Sequence, residues 1–454
     1  MKRSGWQWPV ISALLILMSV ANAATRPQYG GTLHVTMRAN PSSLDPAEIS
    51  EYIGGRNVIV LLFDTLVTTD ASGRVQGALA ESWQMSPPDQ RMQVRLRQNI
   101  KFQDGSPLTA EIAAGSLRRG NPGWNVTVAG DVVSIESGVS APELLQELAL
   151  PRNAIAKRDS GSSIIGTGPF HVADWQAGKE LTLTANEDYW GGRPFLDQIE
   201  IGMGRSFRDQ MNALESGRAN LVEVAPEQMH RIGTQRYELL HSSPLELVAL
   251  KFAGEAASAQ QKNVRDALRF SVERHSMHTV LLQGAGQTSA SLLPTWMSGY
   301  AFVFSTEADL ARARQFRDQV PGVPTLTMGY DKNDPMARLL AERIALNAKD
   351  AGLWVQLNPD TTDFRLLRIP LTSSNPRIAL ETLNNQLGLP PIRSKSQSIE
   401  DLFSAEQTAL ASGRVIVLFH LPLAYASTVS LRDWVVMPDG SLDLAQAWLK
   451  SQQP

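Results

Sequence analysis

The sequence predicts a mixed α/β protein built as two lobes with a ligand cleft between them, and three observations predict it. A chain of 454 residues exceeds what one core holds, since domains average roughly 100–200 residues. Strand-period and helix-period segments alternate along most of its length. The helical segments are spaced too irregularly to supply the eight βα units of a barrel.

Composition narrows the chemistry before any motif does. Hydrophobic residues make up 43% and charged residues 19%, the balance of a folded rather than a disordered chain. The net charge is −3, so the chain lacks the basic field that displaces counterions from nucleic acid, and nucleic acid is not an expected partner. Cysteine is absent, which excludes disulfides, thiolate nucleophiles and cysteine-held metals.

Lys2 and Arg3, the apolar run 10–20 and the small residues Ala21-Asn22-Ala23 read as a signal peptide at 1–23, too short for a membrane anchor, which needs roughly 20 apolar residues. No cysteine follows that could carry a lipid, so a freely diffusing periplasmic protein is expected. Residues 31–37 alternate as a strand, 58–66 read as a helix and 69–73 as a turn. A strand at 93–96 and a turn at 102–107 precede a helix at 110–118 capped by Thr109, whose hydroxyl can accept an orphan backbone N–H. A hairpin pairs 126–128 with 132–135, and 142–150 reads as helix. Strands at 181–184 and 199–201 lead to a helix at 209–216 closed by Gly217. A strand at 245–252 precedes one helix from 264 to about 282. After a strand at 326–330, Met336, Leu340 and Ile344 share one helix face, Gly352 stops that helix, and strands follow at 354–357 and 415–419.

Nine blocks occur in an order that resembles the peptide and nickel class of extracytoplasmic solute-binding proteins, family 5, which serve ATP-binding-cassette importers. They are Tyr29-Gly30-Gly31-Thr32-Leu33, Ser43-Leu44-Asp45-Pro46, Leu62-Phe63-Asp64-Thr65-Leu66, Leu79-Ala80-Glu81-Ser82-Trp83 and the stretch from Lys101 through Asp104-Gly105-Ser106-Pro107 to Ala110. The others are Gly166-Thr167-Gly168-Pro169-Phe170, the stretch from Asn186 through Tyr189-Trp190-Gly191-Gly192 to Pro194, Ala213-Leu214-Glu215-Ser216-Gly217 and Val264-Arg265-Asp266-Ala267-Leu268. The resemblance covers about residues 29–357. Most blocks read as architecture: Asp104-Gly105 as a turn needing positive φ, Gly166 to Pro169 as a tight reversal. Trp83, Trp175, Tyr189 and Trp190 are expected to seal cores with their ring N–H or O–H bonded.

The resemblance implies a two-lobed periplasmic-binding-protein fold, type II-like, with an extra inserted subdomain and a hinge of two crossings. Residues 24–66, 163–250 and 433–454 would form lobe one, 67–162 the insertion and 251–432 lobe two. It implies the solute-binding component of an importer, which captures a small polar solute, peptide or peptide-like foremost, and delivers it to the permease in the inner membrane. No catalysis, cofactor or metal is expected, and a monomer is expected because lobe motion must stay unhindered. Two readings stay open beside it: a periplasmic hydrolase of sugar or peptide, and a ligand-sensing or interaction protein with a degenerate cleft. The chain has no Gly-x-Ser-x-Gly elbow, Walker loop or His-Glu-x-x-His. His275 and His278 lie three apart without a third ligand nearby.

By position in the resemblance, Ser50, Glu51 and Tyr52 would line the cleft mouth; Trp296, which follows a glycine-rich loop, is the candidate contact in the opposite lobe. Peptide-binding relatives carry an aspartate for the ligand's ammonium in a Trp-x-x-Asp-Tyr-x-x-Pro-like stretch. The counterpart here, residues 369–376, has no carboxylate, and a buried unpaired ammonium costs several kcal/mol. Glu51 or Glu381 would have to substitute. Thr372, Ser373, Ser374, Asn375 and Arg377 suggest a neutral polar or anionic ligand, with plain surface-loop polarity as the equal alternative.

Overall fold

The computed structural model describes residues 26–48, 53–70, 72–86, 91–138, 141–158, 164–233, 235–254, 259–300, 304–360, 363–371, 373, 375–392 and 398–450. The expected signal peptide and Ser50, Glu51, Tyr52, Thr372 and Ser374 lie outside these residues. Among the described residues no helix is long and apolar enough to cross a membrane.

One sheet runs through the molecule in the order Phe170–Gln176, Glu180–Ala185, Gln198–Gly202, Thr32–Thr36, Leu221–Val224, Val415–Thr428, Tyr237–Phe252, Phe364–Pro370, Thr325–Gly329, Trp354–Leu357. Gln287–Thr288 adds to it along Val415–Thr428. At one end Leu33, Val35, Leu183, Ile199 and Phe170 pack with Ile59 and Leu62 of helix Ile53–Leu62 and with Trp434 and Ala447 from the C-terminal segment. At the other end the strands are buried on both faces. Val248 and Leu250 meet Leu340 and Ile344 on one side, while Leu245, Leu247 and Ala249 meet Leu380 and Leu402 on the other. This period-two division accounts for the near-continuous apolar run at 245–250. A separate four-stranded sheet, Ala80–Ser86, Arg91–Leu96, Val132–Glu136 and Asn125–Ala129, packs Met92, Val94 and Val133 on Leu117 and Leu148.

Helix Ala110–Gly120 begins at Thr109, whose Oγ1 accepts the Ile112 N–H at 3.4 Å. Helix Pro335–Asp350 is capped by Asp334 and has proline in its first turn, where the missing N–H costs nothing. Two expected helices differ. The first ends at Leu62 rather than 66, because Gly168 N–H takes the Leu62 carbonyl at 3.0 Å. A Cβ on Gly166 would lie 1.9 Å from that same oxygen. These glycines thus serve a close backbone approach as well as the bend at Gly168 and Pro169. The expected 264–282 helix is two, Ala259–Ser271 and Arg274–Val280. The Glu273 N–H donates to Asn347 Oδ1 at 3.2 Å instead of continuing the spiral.

Three blocks of the resemblance converge on Asp64. Its carboxylate accepts from Thr167 Oγ1 at 2.8 Å, Trp190 Nε1 at 2.9 Å and the Tyr189 hydroxyl at 3.1 Å. Burial pushes its pKa up despite these donors. Trp190 and Tyr189 are bonded as expected, whereas Trp175 Nε1 is buried with no partner.

Candidate functional site

The site grows from the two long strands that connect the ends of the sheet. Residues 237–241 of Tyr237–Phe252 pair with 424–428 of Val415–Thr428, and 246–251 pair with 415–421. Between these ladders the register slips twice, and Pro244 stands opposite Pro422. Proline donates no ladder bond, so the sheet is weakest at this crossing. Trp296 reaches the same point from helix Thr295–Ser298, its Nε1 donating to the Pro244 carbonyl at 3.1 Å while its ring stays 42% exposed.

A hollow of about 40 Å³ lies beside the crossing, lined from one end of the sheet by Arg38, Phe207 and Glu223 and from the other by Glu246, Arg368 and Pro370. Such a volume holds a few waters at most. Glu223 Oε2 accepts the Arg38 backbone N–H at 2.6 Å and Gln210 Nε2 at 3.2 Å. The Arg38 guanidinium lies 4.5 Å from the centre of the Phe207 ring, within cation–π range. Arg368 Nε donates to Glu246 Oε2 at 3.0 Å and Nη1 to Asp334 Oδ2 at 2.9 Å. Glu246 opposes Pro370 and Val248 opposes Arg368, so Glu246 and Arg368 are diagonal neighbours on one sheet face. Burial opposes the Arg368 charge, but Glu246 and Asp334 outweigh it and hold its proton more tightly than usual. Glu227, in the turn Pro226–Arg231, adds a third carboxylate facing Arg368. Its Oε2 is buried without a hydrogen bond, and burial raises its pKa. A second, open groove of about 740 Å³ follows the crossing past Tyr237, Glu238, His241 and Gln283.

The segment after Leu371 is not surface-loop polarity. Ser373, Asn375 and Arg377 are all buried. Ser373 Oγ accepts the Asn375 N–H at 3.0 Å. Asn375 caps helix Pro376–Leu387, its Oδ1 accepting the Arg377 and Ile378 N–H groups, and its Nδ2 donates to Gln146 Oε1. Arg377 Nε donates to Glu143 Oε1 at 2.8 Å, and Nη1 donates to Glu381 Oε1 at 2.5 Å. Glu381, a substitute for the missing aspartate in the sequence reading, is therefore paired within its own helix. His278 Nε2 donates to the Gly286 carbonyl at 3.2 Å. Among the described residues no three His, Asp or Glu side chains are placed to hold a metal.

Sequence reasoning did not single out Arg38, Glu223, Glu246 or Arg368. A signal existed: Glu246 lies in the apolar run 245–250 and Arg368 among Leu366, Leu367 and Ile369, and a charge survives in such surroundings only beside a partner.

Residues 74–375 match the family model described as bacterial extracellular solute-binding proteins, family 5 Middle. The chain is 27% identical over 300 residues to the nickel-binding protein NikA of Staphylococcus aureus, covering 62% of this chain and 59% of that one. It is 25% identical over 393 residues to the Probable D,D-dipeptide-binding periplasmic protein DdpA of Escherichia coli, covering 79% and 75%. The match to the first of these thus spans less than two thirds of its length. Among solved structures, a dipeptide-binding protein from Pseudoalteromonas sp. SM9913 in complex with Met-Leu superposes with a TM-score of 0.81 at 15% identity, over 92% of this chain and 100% of that one. That likeness establishes the two-lobed fold, and the family model establishes the lineage: the chain belongs to the bacterial extracellular solute-binding proteins, family 5.

Proposed function

We propose that the protein is the periplasmic solute-binding component of an ATP-binding-cassette importer, capturing a small polar solute between its lobes and passing it unchanged to the permease. The observation that carries this reading is the proline-interrupted pair of strands joining two separately cored lobes beside a charged hollow. Such a joint converts differential ligand affinity into a change of shape. A peptide or peptide-like solute is favoured. Relatives are named for dipeptides and nickel. In this reading residues 24–66, 163 to about 244 and about 422 to 454 form lobe one, 67–162 its insertion and about 245–421 lobe two; these bounds fall several residues before the expected 250/251 and 432/433, a shift supported by the packing of Leu245, Leu247 and Val248 in the second lobe's cores and of Tyr425 and Leu431 in the first lobe's core. Trp296, beside the crossing, is a solute contact, and Glu51, Tyr52 and Thr372 remain ligand-binding candidates from the sequence.

The test is calorimetry on protein purified without refolding, against dipeptides, tripeptides, D,D-dipeptides and nickel–histidine, with native mass spectrometry for retained ligand. Saturable one-to-one binding, weakened about tenfold by Trp296→Phe, is expected. Heat from none of the panel, or turnover of any member, refutes the reading.

A further inference from the structure

We propose that Arg377 is a latch that holds the two lobes shut without solute. Its helix, Pro376–Leu387, is anchored in the second-lobe core, where Ile378 and Ala379 are buried and Leu380 and Leu383 pack with Leu245 and Leu247. The guanidinium turns away from that core into a socket on helix Ala141–Leu148. That helix is anchored by Leu144 and Leu148 in the separate core built on Leu66, Leu79 and Met92.

The socket is specific and dry. Arg377 Nε donates to Glu143 Oε1 at 2.8 Å, and its Nη2 lies 3.5 Å from Glu147 Oε1. Arg377 is 6% exposed, Glu143 2% and Glu147 8%. Asn375 donates to Gln146 of the same helix, a second bond across the same junction. These partners are more than 200 residues apart in sequence, and neither core contains a residue of the other.

Parting the lobes would pull a desolvated guanidinium away from two carboxylates. Such parting breaks this contact, so its free energy biases the equilibrium toward closure whatever the solute. The latch is also distinct from the hollow at the crossing, whose lining includes none of its residues. A solute binding between the lobes therefore meets lobes already held together at a second point.

The absence of cysteine allows a direct test on the full chain. Thr127 lies exposed on strand Asn125–Ala129 and Gln407 exposed on helix Ile399–Ala411, one in each core's body. Thr127→Cys/Gln407→Cys carrying nitroxide labels gives an interlobe distance distribution by pulsed electron resonance, recorded without solute. A single short distance is expected for this labelled parent. Glu143→Gln/Glu147→Gln and, separately, Arg377→Met should lower the closed-to-open ratio about tenfold or more. An unchanged distribution in folded variants overturns the latch, as does a parent that is already open. If Arg377→Met fails to fold, the isosteric glutamine pair decides. No solute enters the experiment, so its outcome is independent of whether the proposed importer role holds.

Discussion

Pro244 faces Pro422 where the two long strands pass from one lobe to the other. Two missing ladder donors and two register slips coincide there, so bending is concentrated in a few residues, with one further slip between Val248 and Ala249 in the ladder beyond. Hydrogen exchange should show it. The amides of 247–252 and 415–420, buried within the sheet, are expected to exchange slowest, and those of Ser242 and Ser243 at least about a hundredfold faster. Uniform protection through the crossing would remove the hinge.

Arg368 pairs with two buried carboxylates, Glu246 and Asp334, and faces the half-buried Glu227. Arg368→Met leaves them without a counter-charge and should cost about 3–5 kcal/mol in urea unfolding. Glu227→Gln relieves the excess and should stabilise by about 0.5–1 kcal/mol. A Glu227→Gln protein less stable than its parent would show that the Glu227 charge is needed where it sits.

Leu292 is held from two sides by groups with opposite titrations. Its N–H donates to Glu406, whose pKa burial pushes up to about 7. Its carbonyl accepts from His420 Nε2 at 3.0 Å, and burial holds the His420 pKa down to about 4. Between about pH 4.5 and 7 the folded protein keeps the Glu406 proton that the unfolded chain releases, so this group makes stability fall as pH rises. Between about pH 4 and 6.5 the unfolded chain binds a proton at His420 that the folded protein refuses, so this group makes stability rise with pH. The two slopes offset where the windows overlap. Urea midpoints of Glu406→Gln should climb from pH 4 to 6.5, and those of His420→Gln should decline from pH 4.5 to 7, each by on the order of 3 kcal/mol. Parallel curves for the two variants would contradict this.

Asp64 gathers three donors from 103 to 126 residues away. Asp64→Ala orphans all three and should cost about 3 kcal/mol or more, whereas Asp64→Asn, which keeps an acceptor, should cost less. Equal losses in thermal unfolding would mean that side-chain volume, not hydrogen bonding, ties these segments together.

Elements with their own local signals were legible in the sequence: the Thr109 cap, the hairpin about residues 129–131, the helix face of Met336, Leu340 and Ile344 and its Gly352 stop. Elements set by distant partners were not. Helix Ile53–Leu62 ends where Gly168 arrives from a hundred residues away, and the break at Glu273 depends on Asn347. The candidate site follows the same division. Trp296 could be picked out as an aromatic after a glycine-rich loop, but Arg377 reads as loop polarity until Glu143 and Glu147 are brought beside it. The pairing of Arg368 with Glu246 likewise needs a register that only the assembled sheet supplies.

Strand Val415–Thr428 sits mid-sheet, hydrogen-bonded to Leu221–Val224 on one flank and to Tyr237–Phe252 along its length. Chain synthesis delivers it well after both of those neighbours, so their backbone bonds to it cannot close until the long stretch between has been made. A nascent chain stopped short of residue 415 would keep a gap down its middle. The two halves of the sheet are thus joined through a strand made after both of them.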